Sequence, residues 1–216
     1  MATTNLPALR PADAAAPWRL WLLFGLGVVS IVPVMLTSAL TLPLAGSFAS
    51  PHAQLATLAF IGSSLPEEAV RFAILYLLGW RWFGIRRPRD GIVFGLLVSF
   101  GFSCAENLFY GVSVGWATGV FKLLIATPMH LALGVAMGGL FAVAARAGDR
   151  RTLWIAGALV APLLLHGVYD FVLLLALANG GADAVGRLTP PVAVYLLVGA
   201  FAVMTVLRAR RPALTA

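Results

Sequence analysis

The sequence predicts an all-α fold, a polytopic integral-membrane bundle of about six transmembrane helices, with kinked helices lining an intramembrane cavity. Three observations carry that expectation. The first is composition: of 216 residues, 61% are hydrophobic and only 11% charged, with a mean hydropathy of +0.94. Soluble domains average about 45–50% apolar and about 25% charged. The second is a series of apolar runs long enough to span a bilayer, which takes about 20 residues per helix. The third is the placement of arginines at alternate breaks between those runs.

The first run covers Trp18 to Leu44, the second Gln54 to Leu78 and the third Gly91 to Tyr110. The fourth covers Thr118 to Ala145, the fifth Leu153 to Ala178 and the sixth Val192 to Leu207. Pro and Gly punctuate the gaps at Pro43, Gly46, Pro51, Pro88, Gly111, Gly148, Gly180 and Pro190. Continuous apolar runs exclude a β-barrel, whose strands alternate apolar and polar residues. The runs divide the chain into a disordered tail (1–16), one six-helix transmembrane domain (17–209) and a cytoplasmic tail (210–216). No cleavable leader is evident, so the first run is read as a retained helix.

Charge placement sets orientation. Arg81, Arg86, Arg87 and Arg89 follow the second run, Arg146, Arg150 and Arg151 the fourth, and Arg208, Arg210 and Arg211 the sixth, while Arg10 and Arg19 flank the start of the first. With six spans these all fall on one side, and positive residues favour the cytoplasm. The expected location is a bacterial-type inner membrane, multi-pass, with both termini cytoplasmic. The net charge of +7 belongs to these helix ends. No basic stripe with interleaved aromatics suggests nucleic acid. A single cysteine, Cys104, rules out an internal disulfide.

Ionisable groups inside apolar runs are the functional signal. A charge at the centre of a membrane helix costs about 2.5–3.5 kcal/mol on insertion scales. Here Glu67, Glu68 and Arg71 lie in the second run, Glu106 and Asn107 in the third, His130 in the fourth, and His166 and Asp170 in the fifth. Helices of opposite direction bring these groups to similar depth, near mid-membrane, with Glu106 and Asp170 slightly outward. His166 and Asp170 are four apart and share a helix face, as do Glu67 and Arg71. Arg71 can neutralise one carboxylate of the pair, leaving Glu68 as the freer acid or base, although the roles can swap. Asn107 and Tyr169 are equally suited to structure or substrate contact. Pro66, Pro128 and Pro162 stand close by and favour kinks that open space for water.

The order EExxR (Glu67–Arg71), FxxxEN (Phe102–Asn107), a mid-helix histidine (His130) and HxxxD (His166–Asp170) resembles the PrsW family of intramembrane proteases. That family is distantly similar to the CAAX prenyl endopeptidases and Abi membrane proteins. The likeness covers the second to fifth helices. It implies hydrolysis of a peptide bond in a membrane-embedded protein substrate, such as an anti-sigma-factor-like single-span protein cleaved during envelope stress. By motif, Glu67 and Glu68 match the paired glutamates, one of which would activate water. Glu106, His166 and Asp170 match positions around a metal or activated water, and His130 matches an additional histidine.

The expected chemistry is metal-assisted hydrolysis. His130, His166 and Asp170 or Glu106 would hold a divalent metal, with zinc suited to such a donor set. Glu68 would act as proton acceptor, and Asn107 or Arg71 would stabilise the oxyanion. A metal-free variant uses Glu68 and a histidine to activate water. The alternative class is a non-catalytic membrane scaffold or small proton-coupled transporter, since intramembrane Glu, Asp and His also form proton relays.

Overall fold

The computed structural model describes residues 16–85, 87–178 and 184–210, with the backbone alone for 184–190. The expected tails lie outside these residues except for Ala16 and Arg210. Among the described residues six helical rods follow one another. We number them α1 (Pro17–Gly46), α2 (51–82), α3 (Pro88–Ser113), α4 (Trp116–Ala144), α5 (Arg151–Ala178) and α6 (Ala184–Arg210). Among the described residues no strand occurs.

Five of the rods are long and apolar enough to cross a membrane: α1, α3, α4, α5 with its preceding short turn, and α6. The second rod is the exception. It alternates between α segments (Pro51–Ala56, Leu65–Ile74) and π segments (Thr57–Ser64, Leu75–Trp82), and carries Glu67, Glu68 and Arg71 at its middle. π turns are uncommon and concentrate at functional sites. The first rod breaks at Ser30. Pro33, three residues on, has no N–H to donate, which weakens the ladder at this point. The Ser30 hydroxyl instead donates to the Gly27 carbonyl at 2.6 Å.

Small residues set the closest helix contacts. A Cβ on Gly91 or Gly95 would fall on the carbonyl oxygens of Gly138 and Gly134, and the reverse holds for α4. The antiparallel α3 and α4 therefore meet backbone to backbone, the small-xxx-small contact of membrane helices. Gly101 does the same against Phe24 of α1.

The arginine-bearing helix ends gather at one end of the bundle. Trp18 packs edge-on against Phe83, Arg208 stacks on Trp154 at 4.6 Å, and Arg146 donates to the Ala209 carbonyl. The interior of that half is filled by Leu23, Leu75, Phe94, Val98, Met137 and Phe141, all at most 1% exposed. The opposite half contains a cavity of about 540 Å³.

Candidate metal centre

The floor of the cavity is built by four rods. Pro66 opens the α segment Leu65–Ile74, whose first turn presents Glu67 and Glu68 inward. Ser64, one turn behind, donates to the Leu163 carbonyl at 2.5 Å and fixes α2 against α5. Gly167 lets the Phe60 ring lie flat on α5 beside His166, where any Cβ would strike it. Phe102 of α3 sets its ring edge-on to His130 (centroids 5.5 Å apart), with the Arg71 guanidinium 4.9 Å from its centroid.

All the ionisable residues singled out in the sequence meet here, and Glu67, Glu68, Arg71, Glu106, His130 and His166 are buried. Glu67 is the centre. Its Oε2 lies 3.9 Å from His130 Nδ1 and 3.9 Å from His166 Nε2, and the rings stand 5.0 Å apart at 82°. The second nitrogen of each ring faces another carboxylate. His166 Nδ1 is 2.9 Å from Glu68 Oε1, and His130 Nε2 is 3.3 Å from Glu106 Oε2. A cation backs each of those carboxylates: Arg71 Nη2 at 2.7 Å from Glu68 Oε1, and Lys122 Nζ at 2.9 Å from Glu106 Oε1. Two cation–carboxylate–imidazole chains thus converge on one glutamate.

Asp170 stands on the cavity side. Its Oδ2 is 3.3 Å from His166 Nε2 and accepts a 2.6 Å hydrogen bond from Ser63. The Ser63 hydroxyl also lies 3.0 Å from Glu67 Oε1; having one proton, it can donate to only one of the two at a time. Arg71 binds both glutamates but holds Glu68 more closely, 2.7 Å against 3.3 Å for Glu67. Of the pair it is Glu67 that lines the cavity. Asn107 and Arg71, the expected oxyanion donors, do not line it. The Asn107 amide donates to Thr127 at 2.8 Å.

Lys122 and Ser63 complete the site without having been singled out in the sequence. Lys122 carried the same signal as the others, a charge inside an apolar run, but its position near a helix start reads as an orientation signal. Ser63 is four residues before Glu67, on the same helix face.

The arrangement fits a metal ion. Glu67, His130 and His166 each offer one ligand atom, and all three atoms lie within 4.8 Å of one another. His130 Nδ1 is buried with no hydrogen-bond partner, an uncompensated position that a ligand bond would satisfy. Two imidazoles and a carboxylate are a known catalytic zinc set, and carboxylates on the far ring nitrogens are the usual outer support.

Fold and site together define a polytopic helical membrane protein with a buried histidine–carboxylate centre of metalloprotease type. The sequence profile described as "PrsW family intramembrane metalloprotease" matches residues 15–206, and the chain belongs to that family. Among named relatives, Protease PrsW of Geobacillus kaustophilus is 33% identical over 152 residues, covering 70% of this chain and 65% of the relative. Protease PrsW of Halalkalibacterium halodurans is also 33% identical over 152 residues, covering 70% and 68%. Protease PrsW of Bacillus subtilis is 33% identical over 154 residues, covering 69% and 67%. The matched stretch therefore spans about two thirds of these relatives' lengths. The more distant likeness to CAAX prenyl endopeptidases forms no part of these findings. No solved structure gives a significant match.

Proposed function

We propose that this chain is an intramembrane metalloendopeptidase that hydrolyses a peptide bond of a membrane-embedded protein. The observation that carries the reading is the convergence of His130 Nδ1 and His166 Nε2 on Glu67 Oε2, 3.9 Å each, on the floor of a cavity of about 540 Å³. Glu67, His130 and His166 would hold the divalent ion, and the two-nitrogen, one-oxygen set favours zinc. When bound, such an ion polarises a scissile carbonyl and makes an attacking water more acidic.

The remaining residues have separable tasks. Glu68 accepts from the outer nitrogen of His166 at 2.9 Å, Glu106 faces that of His130 at 3.3 Å, and the two carboxylates back the rings. This reverses the division that the sequence favoured, in which Glu106 or Asp170 was the ligand and Glu68 the base. Glu68 is sealed behind His166, whereas Asp170 lines the cavity with a carboxylate oxygen beside the centre. Asp170 is therefore the group placed to take the proton of water and return it to the leaving amine. Lys122, Tyr110 and Tyr169 line the cavity as donors, and these, not Asn107 or Arg71, can reach a substrate carbonyl.

The substrate reaches the centre through the half opposite the arginines, between the outer ends of α1, α3 and α4, where Leu42, Phe109 and Phe121 line the opening and are exposed. With the arginine-rich ends in the cytoplasm of a bacterial inner membrane, cleavage falls toward the non-cytoplasmic side. A single-span protein of the anti-sigma-factor type fits that route.

The test is purified wild-type protein with a single-span substrate, assayed with bound metal quantified. Near-stoichiometric metal is expected, with cleavage abolished by chelation and restored by zinc. Glu67→Gln and His166→Ala should lose both metal and cleavage. Full cleavage by metal-free protein would remove the metal from the reading.

A further inference from the structure

We propose that Lys122 is a positioning residue of this centre: by clamping Glu106 against the outer edge of the His130 ring, it fixes His130 as the tautomer protonated on Nε2, leaving Nδ1 free to face Glu67. The metal arm of this inference rests on the reading above; the tautomer arm does not.

The two chains that meet at Glu67 have the same order but opposite ring polarity. Arg71–Glu68 engages His166 through Nδ1, so that Nε2 faces the centre. Lys122–Glu106 engages His130 through Nε2, so that Nδ1 faces the centre. Which ring nitrogen carries the proton is set by the hydrogen bond that the other makes. At His130 the nearer carboxylate is Glu106, 3.3 Å from Nε2 against 3.9 Å between Nδ1 and Glu67, which favours the tautomer protonated on Nε2, whereas His166 has carboxylates at both nitrogens, Glu68 at 2.9 Å and Asp170 at 3.3 Å.

A carboxylate enforces a tautomer only if it is held. Glu68 is fixed by Arg71 within the packed bundle, and both are at most 1% exposed. Glu106 borders the cavity and has open space on one side. Its Oε1 is held by Lys122 Nζ at 2.9 Å. The ammonium is itself located by the Tyr110 ring beneath it, 4.3 Å from the centroid. Without Lys122 the Glu106 side chain is free to turn into the cavity, and His130 Nε2 loses its nearest carboxylate. Phe102 restrains the plane of the His130 ring but cannot choose between its nitrogens.

A purely structural role for Lys122 is neutralisation of a buried glutamate. The two roles separate experimentally. The full chain, labelled with ¹⁵N-histidine and freed of metal, is examined by NMR for ring tautomers, and zinc affinity is measured on the same samples. Wild type and Lys122→Arg should show His130 protonated on Nε2. Lys122→Met should lose that signature while His166, served by Arg71 and Glu68, keeps its own. Zinc affinity in Lys122→Met should fall about 10–100-fold, the usual cost of losing an outer support.

The double variant Glu106→Leu/Lys122→Met removes both charges and folds whatever the burden of an unpaired glutamate. It should remain as defective as Lys122→Met. An unchanged His130 tautomer in Lys122→Met, or a wild-type tautomer and affinity in the double variant, overturns the proposal. If the wild type binds no zinc, the metal reading fails by itself and the tautomer comparison still decides the role of Lys122.

Discussion

Glu67 and Glu68 adjoin in sequence yet serve opposite sides of the centre, because successive helical residues point about 100° apart. Glu67 faces the cavity and both imidazoles, whereas Glu68 faces Arg71 and the back of His166. That buried acidic and imidazole groups gather at one depth was legible in the sequence, since each is an insertion cost inside an apolar run. Which of them meets which at the centre was not. That depends on side-chain rotamers and on differences of under 1 Å between contacts, and helical spacing cannot resolve those. The same limit hid Ser63, which joins Glu67 to Asp170 only through the fold. Asp170→Asn keeps an acceptor for Ser63 but cannot take up a proton. We expect cleavage to slow by about 10²–10⁴-fold with metal content unchanged. An undiminished rate would assign proton transfer elsewhere, and loss of metal would make Asp170 a ligand.

Between helices, the contact of α3 with α4 does most to place Glu106 near His130. Gly91 and Gly95 on one helix and Gly134 and Gly138 on the other leave no room for a Cβ. Gly95→Val should destabilise the fold by about 1–3 kcal/mol or more, the range for overpacking, because the obstructing atoms are backbone. Gly157→Ala meets nothing within 4 Å and should be neutral in the same thermal-unfolding measurement. Equal effects from the two would show that the close approach is not a structural requirement. Helix positions were legible to within a few residues from apolar length, except that α6 begins at Ala184, eight residues before its apolar run, and that Pro43, Gly111 and Pro190, read as breaks, lie inside helices. The π segments of α2 were not. Their i→i−5 bonds, such as Phe83 N–H to Leu78 O at 2.7 Å, depend on packing against neighbours rather than on any residue within the segment.

For the molecule as a whole, the ends that arginine placement assigned to one side do meet in space, through Trp18 with Phe83 and Arg208 with Trp154. The contrast between a filled half and a hollow half was not legible, since both halves are equally apolar in sequence. In a Cys104→Ser background, Thr41→Cys borders the cavity and should react with an impermeant maleimide from the face opposite the arginines. Met137→Cys, fully buried in the filled half, should react only after unfolding. Labelling of Met137→Cys in the native state, or of Thr41→Cys from the arginine side alone, would contradict this arrangement. The filled half also has an electrical consequence. Leu75, Phe94, Met137 and Phe141 form an insulating floor beneath the polar groups, so water can enter this well without opening a conductive path through the bundle.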